Sequence, residues 1–209
     1  MKVAINGFGR IGKLVFRAFL EKNLKGVDIV AINELGSLDS SLHLTQFDSI
    51  HGKLPVEIKK SKKGLKYKNK EIKFFSEKDP INLPWRELKI DVVLECSGVF
   101  ASKEKASLHI TAGAKKVIIS APGSNVDATI VQGVNNNILK SKHNVISNGS
   151  CTTNCLAPVA MVLDKTVGIE NGFMTTIHSY TGDQRTVDQT HGDIRRARGA
   201  AISMIPTST

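Results

Sequence analysis

The sequence predicts an α/β fold: a doubly wound parallel sheet, followed by the start of a second domain near Ser150. Short, almost wholly apolar runs alternate with amphipathic helical stretches, which is typical of parallel strands covered by helices on both faces. A chain of 209 residues with 41% hydrophobic side chains also suffices for a packed core. We expect strands at residues 2–6, 28–33, 91–95, 116–120 and 144–147, and helices that include residues 13–21 and 103–112.

The first expected strand leads directly into a glycine-rich turn and the first helix. The turn has the pattern G-x-G-x-x-G and consists of Gly7, Phe8, Gly9, Arg10, Ile11 and Gly12. In a Rossmann-type fold the first glycine permits the tight turn and the second lets the backbone approach a pyrophosphate. The third allows close packing of helix on strand. The sequence therefore predicts a dinucleotide site at this turn.

The second expected strand ends in an acidic residue, Glu34. This residue lies roughly 20 positions beyond the last glycine, the usual spacing of the carboxylate that binds the adenosine ribose. A carboxylate there accepts the ribose hydroxyl protons and repels a 2′-phosphate. NAD is therefore the expected cofactor, in preference to NADP.

A lysine-rich segment follows the second strand and contributes much of the net charge of +10. Eight lysines lie between Lys59 and Lys73, with only Glu71 against them. Polar and apolar residues alternate before and after Gly64, which predicts a solvated hairpin whose lysines protect an exposed sheet edge. A nucleic-acid interface is the alternative, but the segment has little aromatic content for base stacking.

The last expected strand is followed by a cysteine at the start of a helical pattern. Cys151 comes after Asn148-Gly149-Ser150, and the positive end of a helix at this place favours a thiolate. A cysteine nucleophile also needs a base or a cation, which His178 in a strand-like run could supply. A covalent thiol enzyme is the leading hypothesis. The alternative is an inert cysteine and an unrelated histidine.

Three motifs together resemble one enzyme family, the phosphorylating glyceraldehyde-3-phosphate dehydrogenases. They are AINGFGRIG at residues 4–12, SNGSCTTNCLAP at 147–158 and HSYT at 178–181. Erythrose-4-phosphate dehydrogenase is a close relative, and the segments NEL at 33–35 and LPWREL at 83–88 are similar to it. The segments SAP at 120–122 and YTGDQR at 180–185 favour the glyceraldehyde-phosphate enzyme.

The resemblance implies two domains and a set of site residues. Residues 1–149 would form the NAD-binding domain, and residues 150–209 would begin an α+β catalytic domain. Cys151 would be the nucleophile and His178 the base. The residues implied for NAD are those of the glycine-rich turn together with Glu34, Lys78, Ser97 and Ser120. Those implied for inorganic phosphate are Ser150, Thr152 and Thr209, and those for the phosphate of glyceraldehyde 3-phosphate are Thr181, Asp183 and Arg196.

The resemblance also implies a setting and an assembly. The family's chains are longer, so we expect an N-terminal fragment of a cytoplasmic, glycolytic enzyme that is a homotetramer at full length. No metal site is expected, since the chain has no C-x-x-C pair, and no run approaches the roughly 18 apolar residues of a membrane span. A non-catalytic, basic nucleotide- or RNA-binding Rossmann protein is the alternative from another functional class. A reactive Cys151 distinguishes the two, because only the enzyme needs it.

Overall fold

The computed structural model describes residues 1–22 and 24–209, which divide into two compact units, Met1–Asn154 and Cys155–Thr209. Strands are concentrated in the first unit. In chain order they are β1 (Lys2–Asn6), β2 (Asp28–Asn33), β3 (Phe47–Asp48), β4 (Gly52–Lys53), β5 (Ile58–Lys60), β6 (Gly64–Tyr67), β7 (Lys70–Phe75), β8 (Val92–Glu95), β9 (Lys116–Ile119), β10 (Ala128–Thr129) and β11 (Val145–Ser147).

Over the described residues, nine of these strands form one sheet in the order β10-β11-β9-β8-β1-β2-β7-β6-β5. From β10 to β7 in this order, each strand is parallel to the next. The β7–β6 and β6–β5 pairs are antiparallel. Strands β3 and β4 form a separate small hairpin. The predicted α/β class, with a mainly parallel sheet, is confirmed.

The helices are α1 (Arg10–Lys22), α2 (Leu38–Gln46), α3 (Trp85–Leu88), α4 (Lys103–Thr111) and α5 (Cys151–Val167). Short 3-10 turns occupy Pro80–Asn82, Asn136–Ile138 and Ile194–Ala197. Helix α2 begins at a conventional cap, since the Ser37 hydroxyl accepts the Ser40 N–H at 3.1 Å. Ser102 caps α4 in the same way through the Lys105 N–H.

Two apolar clusters cover the two faces of the sheet. Successive residues of β1 alternate between them, because Val3 and Ile5 belong to one cluster and Ala4 to the other. Phe16 of α1 completes the first cluster, and Trp85 of α3 completes the second. Burial on both faces explains why the central strands are almost continuously apolar.

The lysine-rich segment forms an antiparallel meander at one edge of the sheet. Lys59 of β5 lies opposite Lys66 of β6, which in turn lies opposite Glu71 of β7. The predicted hairpin is therefore present, with β5 as the edge strand. The sequence did not predict that β7 also pairs in parallel with β2, because three charged residues in KEIKFF hide its apolar face.

The second unit contains little regular structure beyond the body of α5. The strand-like run that contains His178 does not form a strand: residues 172–180 have no regular secondary structure and are exposed. Phe173 is 96% exposed and Ile177 91%. In the part of the chain that the structure describes, no strand pairs with this segment, and an unpaired strand leaves its backbone groups to water. Within the same described residues, no helix is both long and apolar enough to cross a membrane.

Candidate functional site

The three glycines of the first turn have distinct surroundings. Gly7 has a φ of +84°, and a Cβ added there would lie 2.4 Å from the backbone nitrogen of Ser97. A Cβ at Gly12 would lie 2.2 Å from the carbonyl oxygen of Gly7. A Cβ at Gly9 would have no atom within 4 Å. Gly7 and Gly12 therefore permit close packing, whereas Gly9 faces open space next to the N-terminus of α1.

Glu34 is bound to the glycine-rich turn itself. One carboxylate oxygen accepts the Phe8 N–H at 2.6 Å, and the other accepts the Gly36 N–H at 3.0 Å. The Lys13 ammonium donates to the Phe8 carbonyl and lies 5.5 Å from the centre of the Phe8 ring. Burial lowers the pKa of Lys13, and the charge of Glu34 opposes that shift. Glu34 thus carries negative charge at the place where the turn meets the end of β2.

Arg10, the first residue of α1, pairs with the Asp48 carboxylate. Asp48 also accepts the N–H groups of His51 at 2.8 Å and Ile50 at 2.9 Å. The His51 N–H, followed by the Ile50 N–H and Arg10, holds the pKa of Asp48 well below its usual value, although desolvation opposes them. Arg10 is therefore oriented by the β3–β4 hairpin, with its side chain still 45% exposed.

The other residues expected to bind the cofactor lie after β7, β8 and β9. Lys78 and Ser97 are exposed, and Ser120 is half-buried. Ser120 donates its N–H to the carbonyl of Glu95, so it lies beside the end of β8. Its hydroxyl also interacts with the Cys96 thiol, whose pKa burial raises to about 11. These positions, with Gly7 and Glu34, lie at the carboxyl ends of the parallel strands, where ligands bind in open α/β sheets.

A buried polar network underlies this edge, and the sequence did not predict it. Asn6, Asn33, Glu95 and His109 are each at most 5% exposed. The Glu95 carboxylate accepts the side-chain N–H of Asn6 at 2.6 Å and lies 3.0 Å from Nε2 of His109. Burial alone would raise the pKa of Glu95, but hydrogen bonds from His109, Ser97 and Asn6 outweigh it and lower that pKa. The sequence did contain one sign of this network: Asn6, Asn33 and Glu95 are polar residues that end otherwise mostly apolar strands.

Cys151 is the first residue of α5 and is exposed. The Ser150 hydroxyl accepts the Thr153 N–H at 2.9 Å, and the Asn154 amide donates to the carbonyls of Asn148 and Ser150. These bonds fix where the helix begins. The thiol therefore lies at the positive end of the helix macrodipole, which favours the thiolate. Thr152, the next residue, is buried.

In the second unit the structure brings together two of the residues expected to bind phosphate. Arg196 pairs with Asp183 at 2.6 Å and also donates to the Thr207 hydroxyl and the Ser208 carbonyl. The Arg196 guanidinium, with a smaller effect of His191, lowers the pKa of Asp183.

Thr181 donates its N–H to Gln184 at 3.0 Å. The C-terminal Thr209 and His178 are exposed, and Nδ1 of His178 lies 2.6 Å from the Ser179 carbonyl oxygen. Among residues 1–22 and 24–209, no group of three or more His, Cys, Asp or Glu side chains could hold a metal ion.

Two family models match the chain. Residues 1–103 match the NAD binding domain of glyceraldehyde 3-phosphate dehydrogenase, and residues 150–209 match the C-terminal domain of the same enzyme. The chain belongs to the glyceraldehyde-3-phosphate dehydrogenase family. The resemblance of the three motifs to this family is thereby confirmed.

Curated members of the glyceraldehyde-3-phosphate dehydrogenase family match over the whole chain. The enzyme of Xanthobacter flavus is 54% identical over 209 residues, which cover 100% of this chain and 62% of that protein. The enzyme of Clostridium pasteurianum is 56% identical over 210 residues, again 100% of this chain and 62% of the relative. The enzyme of Thermotoga maritima is 50% identical with the same coverage. The chain thus spans about 62% of the length of these relatives.

Proposed function

We propose that this chain provides the NAD site and the catalytic thiol of a phosphorylating glyceraldehyde-3-phosphate dehydrogenase. The reaction converts glyceraldehyde 3-phosphate, inorganic phosphate and NAD⁺ to 1,3-bisphosphoglycerate, NADH and a proton. The observation that carries the proposal is an exposed cysteine at a capped helix N-terminus in a chain whose parallel sheet bears a glycine-rich turn with an open Gly9. Residues 1–149 would be the NAD-binding domain, and residues 150–209 would belong to the catalytic domain.

The described residues fit a dinucleotide at the carboxyl edge of the sheet. The space beside Gly9 and the first N–H groups of α1 suit a pyrophosphate, which needs close backbone approach and N–H donors. Glu34 suits the adenosine ribose, and its charge disfavours a 2′-phosphate. Lys78, Ser97 and Ser120 would bind from the ends of the neighbouring strands. When bound, NAD⁺ supplies the hydride acceptor.

Cys151 would carry the covalent chemistry. Its thiolate adds to the aldehyde carbon, and the resulting oxyanion is stabilised by the Cys151 backbone N–H and by His178. Protonated His178 gives its proton to this oxyanion and takes the proton back as the hydride leaves for its acceptor, so that the hemithioacetal becomes a thioester. A phosphate oxygen then attacks the thioester carbon, the Cys151 thiolate leaves, and the acyl phosphate is released.

Two anions must be bound in this reaction. Ser150, Thr152 and Thr209 would bind inorganic phosphate, and the helix N-terminus would add N–H groups. Thr181, Asp183 and Arg196 would form the site for the substrate's own phosphate, where the planar guanidinium suits two oxygens at once. The observed contact between Arg196 and Asp183 supports their joint role, because Asp183 orients the guanidinium.

We also propose that the full-length protein is a cytoplasmic homotetramer and that the lysine-rich hairpin does not bind nucleic acid. In support of the second point, several of its lysines already have acidic partners. Lys60 contacts Asp39 at 2.7 Å, and Lys70 contacts Asp28 at 2.6 Å.

The function is tested by NADH formation with the full-length polypeptide that contains this chain. Glyceraldehyde 3-phosphate should support rapid, phosphate-dependent reduction of NAD, and erythrose 4-phosphate should be a poorer substrate. The C151S variant is the matched control, because it keeps the size of the side chain and removes the thiol. Rates that are equal with and without phosphate, or unaffected by C151S, would exclude the proposed mechanism.

A further inference from the structure

The buried network beneath the cofactor edge connects residues that each adjoin a predicted binding residue. Asn6 immediately precedes Gly7, Asn33 immediately precedes Glu34, and Glu77 immediately precedes Lys78. Glu95 lies two positions before Ser97. These four residues come from different parts of the chain, and hydrogen bonds join them at the carboxyl ends of β1, β2, β7 and β8.

Glu95 is the centre of this network. One of its oxygens accepts the Asn6 amide N–H at 2.6 Å and faces Nε2 of His109 at 3.0 Å. The other accepts the Ser97 backbone N–H at 2.8 Å and also contacts the Ser97 hydroxyl. A carboxylate that is 1% exposed thus has contacts on both oxygens. Among residues 1–22 and 24–209, no buried side-chain nitrogen or oxygen lacks a hydrogen-bond partner.

Apart from the contact with the Ser97 hydroxyl, donors that cannot be reversed determine the direction of the bonds in this network. The Trp85 indole N–H donates to Nδ1 of His109 at 3.0 Å, so the ring hydrogen is on Nε2 and points at Glu95. At the other end, the Glu77 backbone N–H donates to the Asn33 side-chain oxygen at 2.9 Å. The Asn33 amide therefore donates to the Asn6 oxygen at 2.8 Å, and the Asn6 amide must donate to Glu95. The Asn6 amide, the His109 Nε2–H and the Ser97 backbone N–H thus all donate to Glu95, an arrangement that suits an ionised carboxylate.

We propose that Glu95 is a positioning residue for the dinucleotide: its buried carboxylate holds in register the segments that carry Gly7, Glu34, Lys78 and Ser97. Glu95 contacts Ser97 on the side where the ligand is expected. His109 of α4 contacts Glu95 from another side, and Trp85 of α3 orients His109. The register matters because the two segments pack closely: a Cβ added at Gly7 would lie only 2.4 Å from the Ser97 backbone nitrogen. The proposal rests on the function proposed above, since it requires NAD to bind at this edge.

Substitution of Glu95 by Gln tests the role without changing the size of the side chain. The Gln amide can face either Ser97 or the pair Asn6 and His109 with its N–H₂ group, and both choices oppose donor to donor. Neither His109 nor Asn6 can turn to compensate, because Trp85 and Asn33 fix their orientations. The Ser97 segment should therefore shift, and NAD should bind more weakly.

Asp91 is the matched control, because it lies at the amino end of β8, whereas Glu95 is the last residue of β8. It precedes β8, accepts the Lys2 N–H at 2.7 Å and pairs with Lys115. Asp91→Asn thus removes a carboxylate that joins strands at the amino edge, away from the expected ligand. His109 offers a second, remote probe: His109→Leu removes both of its bonds, whereas His109→Gln keeps one donor and one acceptor.

The measurement is the Kd for NAD by isothermal titration calorimetry on the full-length polypeptide that contains this chain and on its variants, with thermal unfolding measured in parallel. We expect E95Q to raise Kd at least tenfold and H109L at least threefold, while H109Q and D91N stay within twofold of the unsubstituted chain. A purely structural network would lower the melting temperature but leave Kd unchanged in variants that remain folded at the assay temperature.

Three results would overturn the proposal. The first is a folded E95Q variant with Kd within twofold of the unsubstituted chain. The second applies if E95Q does not fold, and is a folded H109L variant with unchanged Kd. The third is an H109Q variant as impaired as H109L, which would mean that the hydrogen bonds are irrelevant. A failure of the unsubstituted chain to bind NAD would instead contradict the function proposed above.

Discussion

Replacing Gly9 by alanine should weaken NAD binding and leave the fold intact. The added Cβ would have no atom within 4 Å, and Gly9 is outside the left-handed region of backbone conformation. The substitution removes freedom from the unfolded chain, so it should stabilise the protein by about 0.4–1 kcal/mol. The same methyl group enters the space through which a pyrophosphate would approach the turn. We expect at least a tenfold rise in the Kd for NAD, or about 1.4 kcal/mol.

Gly7→Ala is the matched comparison, because it should affect stability first. At a φ of +84° a non-glycine residue costs about 1–2 kcal/mol, and the Cβ would also overlap the Ser97 nitrogen at 2.4 Å. The backbone of one segment must therefore move. A loss of about 2 kcal/mol or more corresponds to a melting temperature lower by roughly 4 °C or more in a chain of this size.

Circular dichroism during heating and calorimetric titration with NAD would measure the two effects separately. Gly9→Ala should melt at or slightly above the temperature of the unsubstituted chain and bind NAD poorly. Gly7→Ala should melt several degrees lower. The interpretation of the turn would be refuted if Gly9→Ala bound NAD normally, or if it melted as low as Gly7→Ala.

Four further predictions concern the cofactor, the thiols, acid stability and the chain by itself. Because Glu34 carries charge where NADP has its 2′-phosphate, the full-length protein should prefer NAD by at least tenfold, or about 1.4 kcal/mol; comparable turnover with NADP would contradict this. Iodoacetamide near neutral pH should label Cys151 fastest and Cys96 slowest, since burial raises the pKa of Cys96 to about 11; equal labelling of all three cysteines by mass spectrometry would remove the reason to single out Cys151. Lys115 and the Lys2 N–H lower the pKa of Asp91, so the stabilising effect of Asp91 is present above its unfolded-state pKa and disappears as the pH falls through its folded-state pKa. In urea unfolding, Asp91→Asn should therefore lose less stability in acid than the unsubstituted chain does. An unchanged pH dependence would contradict the assignment. The 209-residue chain alone should be partly ordered and inactive, and phosphate-dependent NADH formation by it would refute that expectation.

Much of the first unit could be predicted from the sequence because its signals are local. The runs at residues 2–6 and 28–33 are apolar on both faces and coincide with β1 and β2. The glycine pattern follows from backbone geometry within a few residues, and the structure gives Gly7, Gly9 and Gly12 different surroundings. Caps such as Ser102 are likewise local features.

The features that could not be predicted depend on contacts between distant residues. Asn6 and Glu95 are 89 positions apart in the chain, so their hydrogen bond leaves no periodic signal. His109 showed no partner pattern, although it is fully buried between Trp85 and Glu95. The pairing of β7 with β2 could not be predicted for the same reason. The charged segment KEIKFF forms a parallel strand because it pairs with β2, which is distant in sequence.

The burial of Trp85 gives the protein an intrinsic optical probe of one unit. It is the single tryptophan of the chain, it is fully buried, and its indole N–H donates to His109. Its emission should shift to longer wavelength when Met1–Asn154 unfolds and the ring meets water. Unfolding confined to Cys155–Thr209 should leave that emission unchanged, while circular dichroism still detects the loss of the helix. The two signals together can therefore assign a melting transition to one unit or the other without any added label.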